Sequence, residues 1–339
     1  MTGGVVGGIR TLMRRAGDFG FVWVFVAILI AYMVASHGLT VGGLMNVFRH
    51  SAVIGIIAIG MGLVCLIGEI DLSVGSLLAL NAGLAVIVFN TTDSITITLV
   101  VSLLFGAICG LINGLLVGVV GVPAFITTLA TMLVYRSFAQ YCCQHLDKAL
   151  LGGGSSVYRV AAQSDAYQAL YAFGNGKVMS VPIVGLVLVA VTAVFIYIAQ
   201  GTKFGRKLYA TGSNVKAARM AGINVPAMKT VVFGLCGLLV GLASFLWVAM
   251  NASADPATTG KSYEMYAIAA VVLGGVSMTG GKGRCIGILF GAMSYTIIDK
   301  IIVVLKMDSL INDEVKGILL ILVIVVQIMV PKIRGRMRA

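Results

Sequence analysis

The sequence predicts an all-α polytopic membrane protein of about ten transmembrane helices, with both termini in the cytoplasm. Three observations carry that prediction. The 339 residues are 59% hydrophobic and only 11% charged, whereas soluble domains are about a quarter charged. The apolar residues gather into runs near the ~20 residues that cross a bilayer core. The basic residues gather into clusters that one even-numbered topology places on a single side.

The runs fall at 20–37, 50–68, 72–90, 96–120, 123–142, 181–199, 229–250, 264–279, 284–305 and 315–331. Two of them, 72–90 and 123–142, carry polar residues, and 264–279 is short. Arg10, Arg14 and Arg15 precede the first run, as in a signal peptide, and Val34-Ala35-Ser36 resembles a cleavage site. The many spans that follow make the run read as a retained first helix. With the N-terminus inside, ten spans return Lys332, Arg334, Arg336 and Arg338 to the cytoplasm. The connection 200–228, with Lys203, Arg206, Lys207, Lys216 and Arg219 and no acid, lands inside, as do Lys282 and Arg284. The mixed-charge segments 143–180 and 251–263 land outside. The formal charge of +12 therefore reads as loops obeying the positive-inside rule rather than as a nucleic-acid surface. Segment 143–180 contains Gly152-Gly153-Gly154-Ser155-Ser156, a flexible stretch, and "SDAYQALYAF", which predicts a short amphipathic helix.

Glycine is abundant, at 43 residues against 5 prolines. Gly106, Gly110, Gly114 and Gly118 recur every four residues and line one helix face, where a neighbouring helix can approach closely. Gly237 and Gly241, and Gly283, Gly287 and Gly291, repeat the device. Cys65, Cys109, Cys142, Cys143, Cys236 and Cys285 form no CxxC pair, and His37, His50 and His145 are scattered. They read as packing residues, so no metal site is expected.

Charge inside this apolar chain marks candidate function. "GEIDLSVGS" (68–76) places Glu69 and Asp71 between two apolar runs. Two readings are open. Asp71 caps the helix that follows, offering its carboxylate to free N–H groups near Ser73 and Val74. Alternatively the helix is broken within the bilayer and Asp71 and Ser73 face a pathway. In "GVPAFITTLATMLVYRSFAQ", Pro123 sits near a helix start. Thr127, Thr131 and Tyr135 then share one face, a polar stripe that either lines a hydrated route or bonds neighbouring helices. Arg136, near the outer end, is placed to snorkel.

The basic connection 200–228 holds a second signal. Ser213 or Asn214 is a good N-cap, "VKAARMA" is a strong helix former, Gly222 supplies the C-terminal stop and Pro226 prevents continuation. A basic helix of about two turns is too short to stand alone and needs a surface to dock on. Ala217, Ala218 and Ala221 keep it small enough to fit one. Catalysis has no comparable signal. "DPATTGKS" has Gly260-Lys261-Ser262 but Asp255 in place of the first P-loop glycine, and it lies on the outer side. No zinc-protease or serine-hydrolase motif occurs, so the chain is not expected to be an enzyme.

"GEIDLSVGSLLAL", "PAFITTLATM", "KFGRKLYATGSNVKAARMAGINV" and "YEMYAIAAVVLGGVSMTGGKGRCIGILFGA" together resemble the permease subunits of the ribose/galactose/arabinose-type bacterial ABC monosaccharide importers, over most of residues 45–330. The resemblance implies a single transmembrane permease domain over 1–339, in the bacterial inner membrane. It implies a second permease subunit, identical or related, and a periplasmic binding protein that delivers a monosaccharide or close analogue. A separate ATP-binding cassette subunit would hold ATP and Mg, leaving no cofactor in this chain. The segment Ala210–Val225 matches the family's coupling helix, which assigns ATPase coupling to Gly212, Ser213, Asn214, Ala217, Ala218 and Gly222. Candidate pathway residues are Glu69, Asp71, Ser73, Thr127, Thr131 and Tyr135. The family pattern reads G-G-I-D-L-S, and Glu69 replaces its second glycine. The rival reading is a proton- or cation-coupled secondary transporter that uses Glu69 or Asp71 and has no need of a docking helix.

Overall fold

In the computed structural model, residues 20–153, 156–161 and 164–306 are described, with isolated positions at 314, 315, 317, 318, 321 and 325. Arg10, Arg14 and Arg15, most of the expected span 315–331, and the C-terminal basic run lie outside the described residues. Helix α1 covers Gly20–Ala35, α2 Val41–Leu66, α3 Val74–Thr92 and α4 Ile95–Leu115, which continues as a wider π-type turn over Leu116–Val120. Helix α5 covers Ala124–His145, α6 Asp165–Asn175 and α7 Ile183–Ile196, with a second π-type turn at Tyr197–Gly201. Helices α8, Lys203–Ser213, and α9, Val215–Met220, precede α10 at Val225–Asn251, α11 at Tyr263–Leu273 and α12 at Cys285–Val304. Among the described residues there are also two pairs of two-residue strands: Tyr158–Arg159 beside Ser253–Ala254, and Lys177–Val178 beside Val181–Pro182.

Six of these helices are long and apolar enough to cross a membrane: α2, α3, α4, α7, α10 and α12, with α4 and α7 counted through their π-type turns. The chain is thus a helical, multi-pass membrane protein. Runs 20–37 and 264–279 form shorter apolar helices of 16 and 11 residues. Run 123–142 forms the 22-residue α5, whose threonines, Arg136 and Gln140 dilute its hydropathy. Helix α2 begins nine residues before the expected 50, because Thr40 accepts a hydrogen bond from Gly43 N–H at 3.0 Å and starts the helix upstream of Arg49.

Helix α2 is the hub. Protein covers 83% of its most apolar stretch, against 28% for α4. Helices α10, α12, α11 and α7 pack around it. Glycine sets the closest contact, between α4 and α10. A Cβ on Gly106 would lie 2.4 Å from the Gly237 carbonyl oxygen, and one on Gly110 2.3 Å from that of Phe233. Gly114 and Gly118 continue the seam against the carbonyls of Thr230 and Pro226. Without side chains between them, the backbones approach at a distance that only glycine permits.

Two breaks in the helices also meet. A Cβ on Gly75, in the first turn of α3, would lie 2.3 Å from the carbonyl oxygen of Gly260, where φ is +67°. The 252–262 connection therefore packs onto the start of α3. Arg136 fastens it. Its guanidinium donates to the carbonyls of Pro256 at 2.8 Å, Thr259 at 2.7 Å and Gly75 at 3.4 Å. The expectation that Arg136 snorkels is corrected: three buried turns need a donor, and a guanidinium supplies several from one side chain.

Candidate translocation and coupling site

Asp71 lies in the seven-residue break between α2 and α3, 3% exposed. One carboxylate oxygen accepts from Ser73 N–H at 2.9 Å and from the Ser73 hydroxyl at 2.6 Å. Those bonds satisfy a free donor at the start of α3, whose N-cap residue is Ser73 itself. Ser73 Oγ accepts in turn from the Asn113 side-chain amide of α4 at 2.9 Å. Asn113 sits in the glycine seam, between Gly110 and Gly114, so its amide is carried to within reach by the close approach of α4. The other side-chain polar atom, Asn113 Oδ1, is buried with no hydrogen-bond partner among the described residues.

The stripe on α5 stands beside this cluster. Thr128, which flanks it, donates to the Ala124 carbonyl at 2.8 Å and points toward the Ile70 carbonyl at 3.5 Å. Thr131 bonds back to Thr127 within its own helix at 3.1 Å. Tyr135 donates to the Cys109 carbonyl of α4 at 3.3 Å. The Thr127 hydroxyl is buried without a partner among the described residues. Asp71, Ser73, Thr127 and Tyr135 are thus enclosed in protein in this conformation, whereas Glu69 is only part-buried.

Glu69 faces a different environment. It pairs with Lys229 in the second turn of α10, and both line a cavity of about 220 Å³ walled by Val117, Gly118, the 121–124 turn, Arg219, Val225 and Pro226. Two neighbouring carboxylates therefore have separate partners: Asp71 the serine two residues on, Glu69 a lysine.

The basic connection is more ordered than its glycines suggest. Helix α8 buries Gly205, Leu208 and Thr211, three residues apart on one face. Gly212 is pressed against the end of α2, its Cβ position 1.8 Å from the Leu66 carbonyl oxygen. Gly281 N–H donates to that same carbonyl at 2.9 Å. Three chain reversals, at 66–68, 212–213 and 280–281, so form one clasp. Tyr209 adds a bond to the Gly283 carbonyl at 2.8 Å. Burial pushes its phenol up to about 12.

After the clasp comes α9. Asn214, rather than Ser213, is its N-cap, accepting from Ala217 N–H at 3.0 Å. Its end is a Schellman motif: Ile223 N–H bonds to the Ala218 carbonyl and Gly222 N–H to that of Arg219, each at 3.0 Å, with Gly222 at φ +77°. Pro226 does not merely stop α9; it occupies the first turn of α10. Ala218 faces its own chain at 3% exposure, whereas Met220 is 84% exposed. Asn113, Lys229 and the Leu66–Gly281 clasp were absent from the sequence reading. A lone asparagine within a glycine seam was the available signal for the first.

Comparison with known proteins places this arrangement among transport permeases. The family described as branched-chain amino acid transport system / permease component matches residues 43–326. The chain is 36% identical over 306 residues to the ribose import permease protein RbsC of Escherichia coli (strain K12), covering 89% of this chain and 90% of that one. It is 34% identical over 314 residues to RbsC of Bacillus subtilis (strain 168), covering 92% of each. It is 34% identical over 287 residues to the autoinducer 2 import system permease protein LsrC of Escherichia coli O9:H4 (strain HS), covering 85% of this chain and 79% of that one. No solved structure matches.

Proposed function

The chain belongs to the family of branched-chain amino acid transport system permease components, and on that premise we propose that it is the membrane-spanning permease subunit of an ATP-driven, binding-protein-dependent importer of a monosaccharide or close analogue. The observation that carries the proposal is similarity to ribose and autoinducer 2 import permeases along nearly the whole chain. The chain supplies a path and a lever, not catalysis. ATP and Mg belong to a separate cassette subunit, high affinity to a periplasmic binding protein, and the path is completed by a second permease subunit.

In this proposal about ten spans cross the bacterial inner membrane, both termini and 200–228 lie in the cytoplasm, and 143–180 lies in the periplasm. Helix α9 docks on the ATPase. Its displacement reaches the break at 67–73 by two routes, through the Gly212–Leu66 clasp and through the four-residue link to α10. The polar cluster of Asp71, Ser73, Asn113 and Thr127 lies where that motion arrives. Its unpartnered oxygen acceptors suit a hydroxyl-rich, uncharged substrate once the helices part.

The test is co-purification from membranes followed by uptake in reconstituted vesicles. The expected result is a complex with an ATP-hydrolysing subunit and import that stops when ATP is removed. A chain that never holds such a subunit, with uptake that survives ATP loss but not collapse of the proton gradient, would identify a secondary transporter instead.

A further inference from the structure

The cavity beside Glu69 contains one carboxylate and two cations. Lys229 holds the carboxylate in the conformation described, and Arg219 lines the same cavity. The three groups belong to segments that the proposed cycle moves relative to each other. Glu69 sits on the break that carries Asp71. Lys229 belongs to α10, whose first turns are locked to α4: Thr230 donates to the Gly114 carbonyl at 3.0 Å, and Gly118 packs on the Pro226 carbonyl. Arg219 belongs to α9, exposed on the face away from Ala218. A six-residue helix joined to its neighbours by Asn214 on one side and 221–224 on the other can tilt without unfolding either.

We propose that Glu69, Lys229 and Arg219 are positioning residues of the transport cycle, with the Glu69 carboxylate handed from Lys229 to Arg219 when the partner ATPase displaces α9. This rests on the docking role proposed above. A carboxylate is an indifferent acceptor for ammonium or guanidinium, so the exchange leaves the part-buried acid paired in both states. In the resting state the Lys229 pair ties the break at 67–73 to the α4–α10 unit. In the displaced state the Arg219 pair ties it to the moving helix, and the break follows. A handover of this kind makes movement of the Asp71–Ser73 cluster conditional on movement of α9. It also gives Glu69, the position that departs from the family pattern, a task specific to this chain.

The test uses the full transporter reconstituted with its ATPase and binding protein, and it reads substrate imported per ATP hydrolysed. Arg219→Gln and Glu69→Gln should each lower that ratio by about five- to tenfold while the ATPase still co-purifies. The triple reversal Glu69→Lys, Lys229→Glu, Arg219→Glu should restore it. The double variant Glu69→Lys with Lys229→Glu should not, because the ammonium introduced by Glu69→Lys then repels the Arg219 guanidinium. A normal ratio in Arg219→Gln, or no rescue by an assembled triple variant, overturns the handover. A wild-type chain that holds no ATPase overturns the docking role beneath it. As a second readout, the Glu69→Cys, Arg219→Cys double variant should cross-link more readily with a trapped ATP analogue than without nucleotide. Equal yields would also sink the proposal.

Discussion

Asn113 and Ser73, 40 residues apart in sequence, are joined by a buried hydrogen bond of 2.9 Å, and the Ser73 hydroxyl points its own proton toward Asp71 at 2.6 Å. The chain of three ties the glycine-seam helix to the break before α3. Asp71→Ala leaves the Ser73 N–H and hydroxyl without their acceptor, and a buried orphan costs about 1–3 kcal/mol. The thermal midpoint in detergent should fall by several degrees. Asp71→Asn keeps an oxygen in the accepting position and should melt close to wild type. Uptake then separates the two roles of the residue. An Asp71→Asn variant that melts normally but imports nothing places the carboxylate in the pathway as well as at the helix cap.

The seam itself gives a prediction with an internal control. Gly110→Ala puts a methyl group 2.3 Å from the Phe233 carbonyl oxygen, so α4 and α10 must separate along the contact. Overpacking of this kind costs about 1–3 kcal/mol, and both membrane yield and melting temperature should drop. Gly42→Ala, in the first turn of α2, meets nothing within 4 Å. It should be neutral or slightly stabilising, since alanine loses less entropy in a helix. Equal effects at the two positions would show that close approach is not what the seam glycines provide.

Arg136 distinguishes a structural guanidinium from a snorkelling one. Lysine can snorkel equally well but cannot fork across the Pro256, Thr259 and Gly75 carbonyls. Arg136→Lys should therefore lose most of what Arg136→Gln loses, about 1.5–3 kcal/mol for each charge-assisted bond broken. Limited proteolysis within 252–262 should accelerate in both variants. An Arg136→Lys chain as protected as wild type would restore the snorkelling account.

What the sequence made legible follows from what is local. The apolar runs, the four-residue glycine spacing, the Asn214 and Gly222 ends of α9, and the Ser164-capped helix Asp165–Asn175 depend on neighbours within a few residues. Helix α8 was not expected from the sequence: glycine disfavours helix, but in the fold Gly205 and Gly212 are the points where backbone meets Ala199 and Leu66. The early start of α2 was hidden by Arg49, whose cost is offset by a hydrogen bond to Asn175. The partners of Glu69 and Arg136 were invisible because they lie from 61 to 160 residues away, and helix propensity carries no information at that range.

The orientation of α9 decides which of its residues meets the ATPase. The small residues that make the helix fit divide into two faces. Ala218 is turned into the chain, at 3% exposure, while Met220 at 84% and Val215 at 37% stand outward. An exposed methionine beside the exposed Lys216 is an adaptable apolar anchor with charge at its rim. Met220→Asp should therefore abolish co-purification of the ATPase and all ATP-driven uptake, while leaving membrane insertion and the melting temperature unchanged. Ala218→Arg should also stop uptake, but by a different route: its side chain has no space beneath the helix, so the melting temperature falls with it. The two variants are compared by thermal unfolding of the isolated permease and by pull-down with the ATPase. If Ala218→Arg melts like wild type and Met220→Asp still binds the ATPase, the docking face is the opposite one.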